Sequence, residues 1–420
     1  MKRILGVSLL LLFCISSLFF ARTTVTFMTD WTGPELNVIT SIAEQFNSSQ
    51  NKYTLKVVTV SNLAEKFLTS LAAGNPPDIL HANHQYIAPL VAMNAVEPID
   101  DVTKYGANLN EYREEVLKSA QYHNHLYAIP MKLDIFGLFW NKELFEKAGL
   151  DPNHPPATLE ELKEYAKKLT KRDSNGDIKL LGFDPGYSDK WTWAYVWPYY
   201  FGGKVVDEKT GAITANSPIC IKSYEWFQDL SKMYGTKEQL EKFVGGYGPY
   251  WSASNPFIAG KVAMTFGGDW IAKIIDLYNP TMKWGFSWFP SADGSAKAYT
   301  EIDMAVIPKG AKHVKGAKEF LAFLSKPQNL LKFLTPVPVL KEEYVKKYEK
   351  FMVTYPHRKL FTEIFDKVHL FFAPTTPVWQ KYNDFLKSAF LDVIFLRTSP
   401  KDALNTVQEK MKRVLQMMGQ

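Results

Sequence analysis

The sequence predicts an α/β protein folded as two lobes, and three observations predict it. The chain has 420 residues, and one core rarely grows past about 250–300 residues, so a second lobe is expected. Strand and helix signals alternate through the first hundred residues, which calls for a mainly parallel sheet covered by helices. The composition is globular, at 46% hydrophobic and 22% charged, which excludes a disordered or fibrous chain. Aromatic residues reach 14%, with 11 Trp and 21 Tyr. Trp and Tyr carry a polar handle and are favoured where a ring meets a ligand or partner.

The N-terminus, MKRILGVSLLLLFCISSLFFA, has a basic start at Lys2 and Arg3, an apolar run and a small residue at Ala21. Residues 1–21 read as a secretory signal peptide, with an uncleaved membrane anchor as the competing reading. Lipidation at Cys14 is disfavoured because the large Phe13 precedes it. Cleavage leaves Cys220 as the remaining cysteine, so no internal disulfide is expected. No later stretch is apolar for long enough to span a bilayer. Loss of Lys2 and Arg3 takes the formal charge from +6 to +4, too mild to argue for nucleic acid. The expectation is a soluble, exported, monomeric protein, periplasmic or extracellular.

The mature chain opens with a strand, TTVTFMTDWTG, that ends at Asp30 and Trp31. After Gly33 and Pro34 comes an amphipathic helix with Leu36, Ile39, Ile42, Ala43 and Phe46 on one face. TLKVVTV is a second strand. LAEKFLTSLAAG is a helix closed by Gly74. NPPDILHAN is a third strand. Ligands of such sheets bind beyond the carboxyl ends of the strands, where Asp30, Trp31, Asn83, His84 and Gln85 fall. Further on, Tyr127 to Pro130 and Ile135 to Trp140 read as extended, with Lys132, Leu133 and Asp134 between them. Thr158 and Glu161 form a capping box. KRDSNGDIK is a solvated turn. WTWAYVWPYYFGG, from Trp191 to Gly203, is the densest aromatic stretch. In AGKVAMTFGGDW, the run Val262 to Phe266 suits a buried strand. Gly267 and Gly268 would let the chain turn, and Asp269 and Trp270 sit where a helix would start, with Asp269 either a helix cap or a ligand contact. GFSWFP and YTEIDMAVIP are late strands, and helices such as GAKEFLAFLSKP complete the chain.

No nucleophile elbow, Walker loop, zincin helix or dinucleotide fingerprint is present. His81, His84, His123 and His125 are close in sequence but lack the convergence of a metal site, and no cofactor is expected. A glycosidase would need two carboxyls facing each other across a bond. Asp30, Asp134, Asp269, Glu301 and Asp303 are the acids that could converge. Strand-end polar groups with many Trp and Tyr match sugars. A pyranose stacks its C–H patch on a ring, and its hydroxyls both donate and accept hydrogen bonds.

Four blocks in order carry a family resemblance: NPPDILHANHQYIAPLVAMNAVEPIDD, YAIPMKLDIFGLFWNKELFEKAGLDPNHPPATLEEL, AGKVAMTFGGDW and IPKGAKHVKGAKEFLAFLSKPQ. With them the chain resembles the extracellular solute-binding proteins of ABC sugar importers, the maltose-binding-protein type. The resemblance implies the two-lobe periplasmic-binding-protein fold, with a ligand cleft between lobes joined by about three crossing segments. It also implies hinge closure around a carbohydrate, an oligosaccharide by its tryptophan content, and delivery to a membrane permease, without catalysis. By position, lobe 1 would hold residues 22–132 and 288–330, and lobe 2 residues 133–287 and 331–420. Crossings would fall near Met131 to Ile135, Phe286 to Trp288 and Lys326 to Thr335. The ligand-binding candidates are Asp30, Trp31, His84, Gln85, Lys132, Asp134, Trp191, Asp269, Trp270 and Glu301. Many members have paired glycines where this chain has Thr300, Glu301, Ile302 and Asp303, so side chains would enter the cleft there. The alternatives are the same fold with an inositol-like polyol, a sugar phosphate, a peptide or a metal ion as cargo, a secreted carbohydrate-active enzyme, or a surface adhesin.

Overall fold

Strand β1 (Thr23–Thr29) buries Val25, Phe27 and Thr29, every second residue, as a strand against a core must. It pairs in parallel with β2 (Tyr53–Thr59) and β3 (Ile79–Asn83). The Gly33–Ser49 and Leu63–Ala72 helices make the crossovers. Ile39, Ile42, Ala43 and Phe46 are the buried face of the first helix, as their spacing requires. The computed structural model describes residues 22–187, 192–207, 209–333, 335 and 337–418. Residues 1–21, expected to be the signal peptide and including Cys14, and Trp191 lie outside the described residues.

Next come the short hairpin strands β4 (Gln121–Tyr122) and β5 (His125–Leu126). His123 and Asn124, both at positive φ, form their two-residue turn. Strand β6 (Ala128–Asn141) is buried along its whole length. It runs straight through Lys132–Asp134, where the sequence suggested a break, because those charges pair with each other inside the protein. Strands β7 (Lys171–Arg172), β8 (Ile178–Asp184), β9 (Val262–Gly268), β10 (Trp284–Ser287), β11 (Lys297–Val306) and β12 (His369–Phe371) follow.

Among the described residues one ten-stranded sheet runs β2-β1-β3-β11-β6-β9-β8-β7, with β10 on β6 and β12 on β11. The β1–β3 unit is parallel as expected. The centre is not, because β11 enters antiparallel between β3 and β6, and β6 is antiparallel to β9. Its register sets Glu301 opposite Asp134, and Asp303 opposite both Lys132 and Asn83. A bulge follows between Asp303 and Met304.

Two apolar cores lie along this sheet. One is built from segments within 25–133 and 302–340, the other from segments within 135–299 and 355–414. The chain passes between them in β6, in β11, and between Leu340 and Tyr355. The second and third passages lie downstream of the expected positions. Phe286 stays in the second core because it packs on Phe139 and Phe361, with ring centres 4.7 and 4.5 Å away. Leu331, Phe333 and Leu340 stay in the first. No helix among the described residues is long and apolar enough to cross a membrane.

Candidate functional site

The sheet order brings the ends of β1 and β3 beside the middle of β11 and β6, and the polar residues there form one buried network. His81, on β3, lies at its centre. Its Nδ1 is 3.1 Å from Asp30 Oδ1, and its Nε2 is 2.9 Å from Asp303 Oδ1. Burial works against a charged ring, but hydrogen bonds with Asp30 and Asp303 outweigh it and raise its pKa to about 9. At neutral pH the imidazolium therefore donates to both carboxylates. Asn83 Nδ2 also donates to Asp303, at 2.8 Å. Burial would raise the Asp303 carboxyl, yet its bond with His81 and the nearby Lys132 charge hold it below the usual range. Asp30 keeps about half of its side chain exposed, at 53%. Trp31 lies tilted over His81, centroid to centroid 4.3 Å.

Lys132 Nζ lies 2.8 Å from Asp134 Oδ1 and 3.7 Å from Asp303 Oδ2. Burial opposes its charge, and Asp134 and Asp303 more than compensate. Glu35, in the first turn of the Gly33–Ser49 helix, accepts a bond from Lys273 of the Trp270–Tyr278 helix. Neither residue was singled out from sequence.

Asp269 is fully buried. It occupies the N-cap position of the Trp270–Tyr278 helix but makes no capping bond. Its backbone N–H donates to Ile135 O at 3.0 Å, and its Oδ1 accepts from Ile135 N at 3.2 Å, clamping the helix start to β6. Burial, and then the charge of Asp134, push its carboxyl well above the usual range. Gly267 and Gly268 do not turn the chain. They are strand residues without positive φ, paired with Gly137 and Phe136. What they supply is clearance: a Cβ on Gly268 would meet the Trp270 ring at 2.1 Å. Trp270 itself is only 9% exposed. It packs edge-on against Phe136, and its Nε1 donates to Tyr250 Oη at 3.1 Å.

Glu301 closes the network. Its Oε1 accepts from Tyr299 Oη at 2.9 Å, Tyr195 Oη at 3.3 Å and Gln85 Nε2 at 3.5 Å. Burial raises its carboxyl to about 7. His84 Nδ1 accepts from Ile302 N at 3.3 Å, and its buried Nε2 makes no bond. Burial pushes its pKa down to about 3, so the ring is neutral. The structure thus brings together Asp30, Trp31, Gln85, Lys132, Asp134, Asp269, Trp270 and Glu301, with His84 bonded to β11 beside Glu301. It adds Glu35, His81, Tyr195, Lys273, Tyr299 and Asp303. His81 and Asp303 carried a signal in the sequence as strand-end and strand-centre polar residues. The others are ordinary helix charges or core tyrosines until folded.

A sequence pattern described as bacterial extracellular solute-binding protein matches residues 32–330. Among solved structures, CpMnBP1 with mannobiose bound is similar at a TM-score of 0.83 and 27% identity, covering 93% of this chain and 99% of that one. The same protein with mannotriose bound gives 0.83 and 28%. The sn-glycerol-3-phosphate-binding periplasmic protein UgpB of Pectobacterium atrosepticum is 26% identical over 339 residues, which are 74% of this chain and 71% of that protein. For UgpB of Salmonella typhimurium the match is 28% over 265 residues, 58% of each chain, so little more than half of that relative is spanned.

Proposed function

This chain belongs to the family of bacterial extracellular solute-binding proteins, and on that premise we propose that it captures a neutral oligosaccharide between its lobes and delivers it to the permease of an ABC importer. The observation that carries the reading is the charge balance of the inter-lobe network. Among the described residues, the carboxyls of Asp30, Glu35, Asp134, Asp269, Glu301 and Asp303 face three basic groups, His81, Lys132 and Lys273. Such a site offers acceptors to hydroxyl donors. A phosphate wants surplus Arg or Lys instead, so the sugar-phosphate alternative, and the solute named for the UgpB relatives, fit it poorly. The carbohydrates in the CpMnBP1 structures support the same class.

Asp30, Trp31 and Glu301 keep surface open and are assigned to contact the solute. His84, Gln85, Lys132, Asp134, Asp269 and Trp270 are buried and hold the contacting groups in place. The lobes divide as the two cores do, with the hinge in β6, β11 and the 340–355 segment. Ligand binding shifts the lobes toward the closed form by differential affinity. No reaction is assigned, because Asp134 and Asp303 are committed to cations rather than poised across a scissile bond. The protein acts as a monomer outside the cytoplasm, exported by residues 1–21, without nucleic acid.

The test is calorimetric titration of the mature protein with mono- to pentasaccharides, inositols, sugar phosphates and glycerol 3-phosphate. Saturable binding of a neutral sugar that is recovered intact is the expected result. Binding of the phosphates alone overturns the charge argument. Recovery of a cleaved sugar makes the protein an enzyme.

A further inference from the structure

Glu301 lies in β11, where the chain passes between the two cores, and its Oε1 takes neutral donors from both halves. Tyr299 and Tyr195 belong to the second core. Gln85 comes from the turn that follows β3 in the first half. The two tyrosine hydroxyls also bond each other at 2.6 Å. The charges around this cluster are acidic. Asp303 on the same strand and Asp134 opposite on β6 both push the Glu301 carboxyl up. Asp30 and Asp384 act on the neighbouring Tyr86. Lys132, also on β6, is held by Asp134 and Asp303, and the His84 ring is neutral.

Gln85 gives a second, independent observation. Its Oε1 is buried without a bond, and its Nε2 reaches Glu301 only at 3.5 Å, beyond the usual range for such a bond. Half a turn of the amide sets the acceptor against Glu301 instead. A neutral carboxyl there donates its O–H to Gln85, and a carboxylate has no proton to give. The pair is therefore better satisfied with a proton on Glu301.

We propose that closing the lobes on the solute takes up one proton at Glu301, so that the protein holds its solute more tightly in acid than in mild alkali. The inference rests on the carbohydrate reading and its hinge closure, and adds a regulation to the same site. With the lobes parted, Gln85 leaves the cluster, water reaches the carboxyl, and its pKa returns toward the ordinary 4.5. With the lobes together, burial raises it to about 7. Below 4.5 both forms carry the proton and affinity has its full value. Between 4.5 and 7 closure takes up a proton, so affinity falls as pH rises. Above 7 both forms are ionised and the contribution is gone. The span from 4.5 to 7 sets a ceiling of about 300-fold on the effect. His81, bonded to Asp30 and Asp303, changes charge near 9, above this window.

The test is calorimetric titration from pH 5 to pH 8 with the neutral sugar that wild type binds most tightly, a probe that does not itself titrate. At pH 6, measured in two buffers of different ionisation heat, binding should take up about 0.9 proton, the difference in protonated fraction between a pKa of 7 and one of 4.5. Affinity should fall at least tenfold from pH 5 to pH 8. Glu301→Gln, its fold checked by melting temperature, should take up no proton and change less than threefold. Tyr195→Phe strips one donor from the carboxylate and should move the fall to higher pH. Wild-type binding without proton uptake, or with proton release, overturns the inference and leaves the carbohydrate reading standing. Uptake that persists in Glu301→Gln puts the proton on another group and overturns it too. If Glu301→Gln does not fold, an unmoved fall in Tyr195→Phe overturns it. Absence of binding by any sugar at any pH overturns the carbohydrate reading, and this inference with it.

Discussion

Glu35 and Lys273 lie 238 residues apart and on opposite sides of the two cores, yet Lys273 Nζ donates to Glu35 Oε1 at 2.7 Å with both side chains over nine-tenths buried. The helix of Glu35 packs in the first core through Ile39 and Ile42, and that of Lys273 in the second through Ile271 and Ile274. Burial alone would raise the Glu35 carboxyl, but Lys273 and Lys132 bring it below its ordinary value. The pair is a charged bolt between lobes.

Removing one partner leaves the other buried without its counter-charge, which typically costs about 3–5 kcal/mol. Lys273→Met should therefore destabilise the protein strongly in urea denaturation and widen the lobes in small-angle scattering. The double variant Glu35→Gln with Lys273→Met should recover part of the loss. A double variant as damaged as the sum of the singles would show that the two groups do not depend on each other.

Burial, and then the nearby Asp134 charge, push the Asp269 carboxyl well above its usual range and so disfavour its charged form. Asparagine keeps the acceptor for Ile135 N, and alanine does not. Asp269→Asn should stay close to wild type in thermal unfolding, while Asp269→Ala loses about 1–3 kcal/mol for the orphaned amide. If both variants fall equally, the ionised form is the one the structure uses.

The two glycines of β9 should respond unequally. A Cβ on Gly268 meets the rigid Trp270 ring at 2.1 Å, whereas one on Gly267 meets Ile271 Cδ1, the end of a flexible chain, at 2.4 Å. Gly268→Ala should cost about 1–3 kcal/mol by overpacking and shift tryptophan emission. Gly267→Ala should cost less and leave the emission in place. The reverse order would mean that Trp270 yields more easily than Ile271.

His81 gives a pH signature. Its folded pKa of about 9 lies above its ordinary 6.5. Its contribution to stability is thus fully present below pH 6.5 and disappears as pH rises through 9. The full effect is on the order of 3 kcal/mol at about 1.4 kcal/mol per pKa unit. Urea midpoints measured from pH 6 to pH 10 should fall more steeply for wild type than for His81→Asn. Parallel curves would mean that the ring is neutral between its two carboxylates.

Much of this was legible in the sequence because it is local. The β1 strand alternates as read and ends at Thr29, directly before Asp30 and Trp31. The acids Asp30, Asp134, Asp269, Glu301 and Asp303, marked as able to converge, do enter one network. What stayed hidden depends on tertiary contact. Glu35 and Lys273 look like solvated helix charges until two helices from distant parts of the chain meet. Gly267 and Gly268 read as a turn because a glycine pair does not reveal whether it supplies rotation or clearance. β11 was readable as a strand, but its place between β3 and β6 is a long-range pairing that no periodicity encodes.

That placement has a consequence for synthesis. β3 and the first half of β6 do not pair with each other, and both wait for β11, which ends at Val306. At about 5–20 residues per second, the ribosome needs on the order of 10–30 s to travel from Asn141 to Val306. During that interval the nascent first half carries two unpaired strand edges, each a template for joining other chains. The stage most exposed to aggregation thus precedes completion of either lobe and ends when β11 arrives.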